Sequence, residues 1–179
     1  MSTFRRAFLF NGIGTKPEKL MQAMTPQMLE KYRNYCHDEF MRLNLSEEIS
    51  KNTPMDRLAA EWLSSLISDR VVYEYYIEKG IFPDIGMGHS SGIVSISACF
   101  GAISHQFAHE VIMMNRATMR SLSEAGESQD MGTIIGMGID DVNELIEENN
   151  FSSDEVMVGS ANSRICTMIS GRKEIVLSR

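Results

Sequence analysis

The sequence predicts an α/β fold, a parallel-sheet core followed by a smaller α+β unit, and three observations predict it. Two short apolar runs, Arg6 to Phe10 and Ile81 to Gly88, each end in a glycine-containing turn and read as strands. Long stretches of helical periodicity separate and follow them. After a polar break at Gly126 to Asp130 the elements shorten into a β-α-β-β-α order. The 179 residues suffice for one ordinary domain, or one plus a small subdomain, and 43% hydrophobic residues supply a core.

Arg6 to Phe10 is expected to be a buried strand entering the tight turn Asn11-Gly12-Ile13-Gly14. In the long helical region that follows, Met28, Leu29, Tyr32 and Tyr35 are spaced for one face. Leu58, Trp62, Leu66 and Val72 continue the rhythm, with Pro26 and Pro54 near helix starts. Gly80 ends this region and Ile81 to Gly88 forms the second strand. Ile93 to Phe100 is predicted as a helix buried on most sides. Ser104 is placed as the N-cap of the next helix, on which Phe107, Val111, Met114 and Thr118 share a face and Arg116 lies off it. Beyond the polar break, Met131 to Met137 is strand-like, Asp141-x-x-Glu144 resembles a capping box, and Val142 to Asn149 is helical. Val156 to Ala161 and Ile165 to Ser170 are strands separated by Asn162-Ser163-Arg164, and Arg172 to Arg179 begins another helix. This order stops one strand short of a closed β-α-β-β-α-β unit, so a further strand is expected downstream.

Gly88-His89-Ser90-Ser91-Gly92 places a serine between two glycines after a strand and before a helix, the layout of a nucleophile elbow. Such a turn strains the serine backbone, and side chains two residues either side would collide, which Gly88 and Gly92 avoid. It lifts the Ser90 hydroxyl clear of the sheet and aims the Ser91 N–H at any oxyanion formed there. The other reading of these residues is a small-residue turn. Two nucleotide-loop alternatives fail: Gly12-x-Gly14 has Pro17 where a dinucleotide fingerprint needs glycine, and Gly86-x-Gly88 has Ser91. Lys16 lacks Walker A spacing.

A formal net charge of −7 argues against a nucleic-acid binder. Three widely spaced cysteines, Cys36, Cys99 and Cys166, fit reduced thiols, and neither a signal-peptide core nor a membrane-spanning run is found, which places the chain in the cytoplasm and off the membrane. His105 and His109 have i, i+4 spacing but no third ligand, so a solvated helix face is expected and no metal. Cys36-His37-Asp38-Glu39 is read as surface, because adjacent helical residues diverge and form no relay. Methionines such as Met113 and Met114 are read as plastic core, some of them lining an acyl pocket.

The elbow and its flanks together resemble the malonyl-CoA:acyl carrier protein transacylase family. The family's F-P-G-Q-G-S-Q segment is matched by Phe10-Asn11-Gly12-Ile13-Gly14-Thr15, and its G-H-S-x-G-E elbow by Gly88-His89-Ser90-Ser91-Gly92-Ile93. Ser97-Ala98-Cys99-Phe100-Gly101 matches a small-residue run ending in glycine. Met131-Gly132-Thr133-Ile134-Ile135-Gly136 resembles the family's G-x-M-A-A-I-I-G strand, and Ala161-Asn162-Ser163 with Ile169-Ser170-Gly171 its F-N-S-P-G-Q-x-V-I-A-G hairpin. The match covers nearly all of this chain but only the N-terminal part of the family's domain. It implies a hydrolase-like parallel-sheet core over residues 1–126, bearing the elbow, and a partial ferredoxin-like subdomain over 127–179, each incomplete.

The resemblance makes Ser90 the nucleophile that takes an acyl group from a CoA thioester and passes it to the phosphopantetheine thiol of an acyl carrier protein, with no bound cofactor. It assigns the oxyanion hole to the backbone N–H groups of Ile13 and Ser91; Ile13 replaces a glutamine and keeps the N–H available. Arg116 corresponds to a helix arginine that grips the free carboxylate of a malonyl group with two parallel hydrogen bonds, once one residue is inserted between Ser104 and Val111. Asn162 matches a hairpin asparagine near the cleft and is equally well read as a turn residue. The family's general-base histidine lies well downstream and has no equivalent here, while His89 is too close in sequence to reach back to Ser90. Ile93 also replaces the glutamate after the elbow. The chain is therefore expected to be the N-terminal portion of an acyltransferase, either truncated, processed, or completed by a second chain. Two alternatives stay open: a serine hydrolase of thioesterase or patatin-like type, and an idle docking protein that has kept the fold and lost the chemistry.

Overall fold

The computed structural model describes residues 6–13, 17–43, 54–126 and 129–177, in two compact units, Met1–Ala117 and Thr118–Arg179. Gly14, Lys16 and the last two residues of the helix expected from Arg172 to Arg179 lie outside the described residues.

In the first unit, strand β1 (Ala7–Phe10) leads through helix α1 (Pro17–Gln22) to α2 (Pro26–Arg42) and α3 (Pro54–Glu78), and then to β2 (Ile85–Gly88) and α4 (Gly92–Cys99). Helix α5 (His105–Glu124) carries the division between the units. The long helical region is thus split, and each start has the proline the sequence placed there. Pro26 opens α2 behind an N-cap, Thr25, whose hydroxyl accepts the Met28 N–H at 3.3 Å, and Pro54 opens α3. Along α3, Ala59, Leu63, Leu66, Ile67 and Val71 repeat at three- and four-residue intervals and are buried against Met28 and Tyr32 of α2 and Ala108 and Ile112 of α5.

The second strand is shorter than predicted. Gly80 has φ +72°, and the Asp84 N–H donates to the Arg6 carbonyl, so residues 81–84 turn into the sheet before pairing begins at Ile85. Strands β1 and β2 run parallel with Phe8 opposite Gly86 and Phe10 opposite Gly88. Phe8 and Phe10 then meet Tyr73 of α3, with ring centroids 6.1 and 6.5 Å apart, and Phe10 meets Phe100. Gly86 leaves room for the Phe100 ring, from which a Cβ there would lie 2.7 Å.

Ser104 caps α5 as expected, accepting the Phe107 N–H at 3.0 Å. The buried face of α5 is a different one, however: Ala108, His109, Ile112 and Arg116 are buried, while Phe107 and Met114 are exposed. The expected solvated histidine face is therefore corrected. His109 is fully buried, with Nδ1 2.8 Å from Glu39 Oε2 of α2. Glu39, read as surface, is half-buried for the same reason.

The second unit has β3 (Gln129–Ile135), α6 (Ile139–Glu148), β4 (Val156–Ser163), β5 (Cys166–Arg172) and α7 (Lys173–Val176). The three strands form an antiparallel sheet in the order β3-β5-β4. Its core is Val142, Val156 and Thr167, with the Thr167 hydroxyl donating to the Met137 carbonyl at 3.2 Å. The capping box is displaced from its expected place. Helix α6 starts three residues earlier than predicted, and Asp141 is the residue that reaches back, accepting the Gly138 N–H at 3.0 Å.

Candidate active site

Parallel pairing delivers two loops to one end of the sheet, the carboxyl end of β1 and β2, where ligands of parallel sheets bind. The His89 N–H continues the pairing one step past β2 by donating to the Phe10 carbonyl at 3.1 Å. The chain then reverses into α4. Ser90 takes this reversal, with φ +52°, a left-handed conformation that costs a non-glycine residue about 1–3 kcal/mol. The Gly92 N–H donates to the His89 carbonyl at 2.9 Å and the Ile93 N–H to the Ser90 carbonyl at 3.0 Å, which locks the turn. A side chain at either flanking position would break it: a Cβ on Gly88 would lie 2.4 Å from the Gly92 carbonyl oxygen, and one on Gly92 2.3 Å from the Phe10 carbonyl oxygen. The elbow geometry read from Gly88, His89, Ser90 and Gly92 is therefore present.

Ser90 is exposed at the tip of this turn, and its Oγ makes no hydrogen bond among the described residues. The Ser91 N–H has no acceptor among the described residues. The Ile13 N–H is brought to the same place but is engaged, donating to Ser91 Oγ at 2.8 Å. The turn carrying it lies close against the elbow, since a Cβ on Gly12 would be 3.1 Å from Ser90 Cβ.

Arg116 is 8% exposed on α5 and faces Asp56 of α3, which is fully buried. Its Nε donates to Asp56 Oδ1 at 2.8 Å, and Nη2 donates to the same oxygen. A free carboxylate arriving at Arg116 would have to share or replace that partner. The sequence reading missed Asp56, although a signal existed: it falls at the next step of the α3 stripe that runs through Ala59 and Leu63, where an acidic residue calls for a buried cation. Asn162 lies in β4 of the second unit, exposed, with Oδ1 accepting the Ser160 hydroxyl at 3.2 Å.

One further polar group was not anticipated, and His105, expected on a solvated face, is half-buried. Asp69 of α3 borders a cavity of about 530 Å³ along β1, α1 and α3, together with Phe8, Phe10, Tyr73 and Tyr76. Its Oδ2 is buried without a partner among the described residues, and burial raises its pKa to about 6 against the opposing hydrogen bond from Ser95. His105 is pushed down to about 4, by burial first and then by the Arg70 charge. No group of three or more metal-ligating side chains is found among the described residues, and no helix there is long and apolar enough to cross a membrane.

No family model matches the chain. Over 93% of its length it is 28% identical to the highly reducing polyketide synthase SAT13 of Stachybotrys chartarum, of which it spans 7%. Solved structures match it more fully. The malonyl CoA-acyl carrier protein transacylase of Coxiella burnetii is 26% identical with a TM-score of 0.70 over 95% of this chain and 54% of that one. The acyl-carrier-protein S-malonyltransferase of Burkholderia pseudomallei gives 20% and 0.71 over 95% and 56%. A malonyl-transacylase solved in complex with its type II polyketide synthase acyl carrier protein gives 22% and 0.73 over 97% and 57%. The chain thus spans about half the length of these structures.

Proposed function

From the premise that this chain has the fold of the malonyl-CoA:acyl carrier protein transacylases and of polyketide synthase acyltransferase domains, we propose that it is the nucleophile-bearing part of an acyltransferase. Ser90 Oγ attacks the thioester carbonyl of malonyl-CoA or a related acyl-CoA. The C–S bond then breaks, CoA leaves as its thiol, and an acyl-Ser90 ester remains. The phosphopantetheine thiol of an acyl carrier protein attacks that ester and restores the Ser90 hydroxyl. In both steps the tetrahedral oxyanion is held by the Ser91 N–H, joined by the Ile13 N–H, and such a donor is worth about 3 kcal/mol.

The observation that carries this reading is the left-handed Ser90 backbone at a strand-to-helix turn closed by Gly88 and Gly92. No described side chain takes the Ser90 proton, and the general-base histidine is assigned to a further segment or a second chain. Arg116 holds the malonyl carboxylate in this scheme, in competition with Asp56. The setting is the cytoplasm.

The test is to supply malonyl-CoA and holo acyl carrier protein to the chain, alone and within any longer protein that contains it. Malonyl transfer to the carrier is expected. Release of free malonate instead identifies a hydrolase. A non-catalytic docking role is favoured by the Ser90 Oγ, which has no partner among the described residues, and by the Asp56-bound Arg116, and it predicts carrier binding with neither product.

A further inference from the structure

Ser91 occupies the N-cap position of α4, where a serine ordinarily turns its hydroxyl back to accept a backbone N–H of the first turn. It makes no such bond. Its Oγ instead crosses to the other loop and accepts the Ile13 N–H at 2.8 Å, in a part-buried contact between residues 78 positions apart. A Cβ on Gly12 would lie only 3.4 Å from that oxygen. The Ser91 backbone is already helical, with φ −59° and ψ −19°, and the Ile93 and Val94 N–H groups are held by the Ser90 and Ser91 carbonyls, so the hydroxyl is left to hold the glycine turn against the elbow.

We propose that the Ser91 hydroxyl is an internal stand-in for the substrate oxyanion. While no acyl group is bound it fixes the Ile13 N–H at the mouth of the elbow, and it yields that N–H when the tetrahedral oxygen forms. The exchange runs in this direction because a charged oxygen makes a bond to N–H roughly twice as strong as a neutral hydroxyl does. Ser91 is thus a positioning residue acting through Ile13. The proposal rests on the reading of Ser90 as nucleophile and adds a gate to it.

The experiment is amide hydrogen exchange by NMR on the whole chain, free and after treatment with an alkyl fluorophosphonate, whose phosphonyl oxygen on Ser90 imitates the oxyanion. In the free protein, Ser91→Ala is expected to speed exchange at Ile13 roughly fivefold, the worth of one ordinary hydrogen bond, and Ser91→Thr to restore it. In the phosphonylated protein, Ile13 is expected to be equally slow in wild type and Ser91→Ala. Unchanged Ile13 exchange in free Ser91→Ala overturns the proposal, and so does fast exchange in its adduct. If Ser91→Ala does not fold, the wild type decides: the Ile13 amide proton should move downfield on phosphonylation, and a stationary signal overturns the stand-in. Absence of any Ser90 adduct, both in the chain and in any longer protein that contains it, overturns the nucleophile reading and the stand-in role with it. The free-state exchange result separates that outcome from failure of the hydrogen bond itself.

Discussion

At the scale of single residues, the elbow depends on atoms that are missing. Gly92→Ala would drive a Cβ to 2.3 Å from the Phe10 carbonyl oxygen, and because the obstacle is backbone it cannot swing aside. A loss of about 1–3 kcal/mol is expected, read as a lower denaturation midpoint at unchanged m-value. Two titrating groups act in opposite directions. Asp69, with its pKa raised by burial to about 6, binds a proton in the folded state that the unfolded chain has released, so it lowers stability as pH rises from about 4 to 6. His105, pushed down to about 4, stays neutral in the folded state while the unfolded imidazole protonates below about 6.5. It therefore raises stability over nearly the same span. The wild-type profile is expected to be flattened between these limits. Asp69→Asn should leave stability rising with pH there, and His105→Gln should leave it falling; urea titrations across that range check both. The elbow was legible in the sequence because its glycines and serine are contiguous. Asp69 was not, since its burial comes from the β1 and α1 residues around it.

At the scale of elements, α5 shows where sequence periodicity misled. Phe107, Val111 and Met114 make the more apolar stripe, but the helix buries Ala108, His109, Ile112 and Arg116 instead. Small Ala108 permits close approach to the core, and His109 and Arg116 are compensated by Glu39 and Asp56, the latter 60 positions away. No local pattern reports such partners. Ile112→Ala is accordingly expected to cost about 2–5 kcal/mol, whereas Met114→Ala, at a side chain 65% exposed, should stay within about 0.5 kcal/mol in the same denaturation assay. The helix starts at Pro26 and Ser104 were easier to read, because each acts on its own next turn, whereas α6 begins three residues ahead of its predicted start. Strand limits were harder: residues 81–84 look like strand, yet the Ile81 N–H turns back to the Tyr76 carbonyl and only Asp84 reaches Arg6.

At the scale of the whole molecule, the α/β class was legible from the order of strands and helices, and the strand order β3-β5-β4 came only from the structure. The chain spans 54–57% of the transacylase structures it matches. The proposed function turns on Ser90. The most direct measurement is intact mass spectrometry after incubation with malonyl-CoA, of the chain and of any longer protein that contains it. The account predicts a malonyl adduct that maps to Ser90 and is absent from Ser90→Ala. No adduct in either setting, or one that persists in Ser90→Ala, would contradict it.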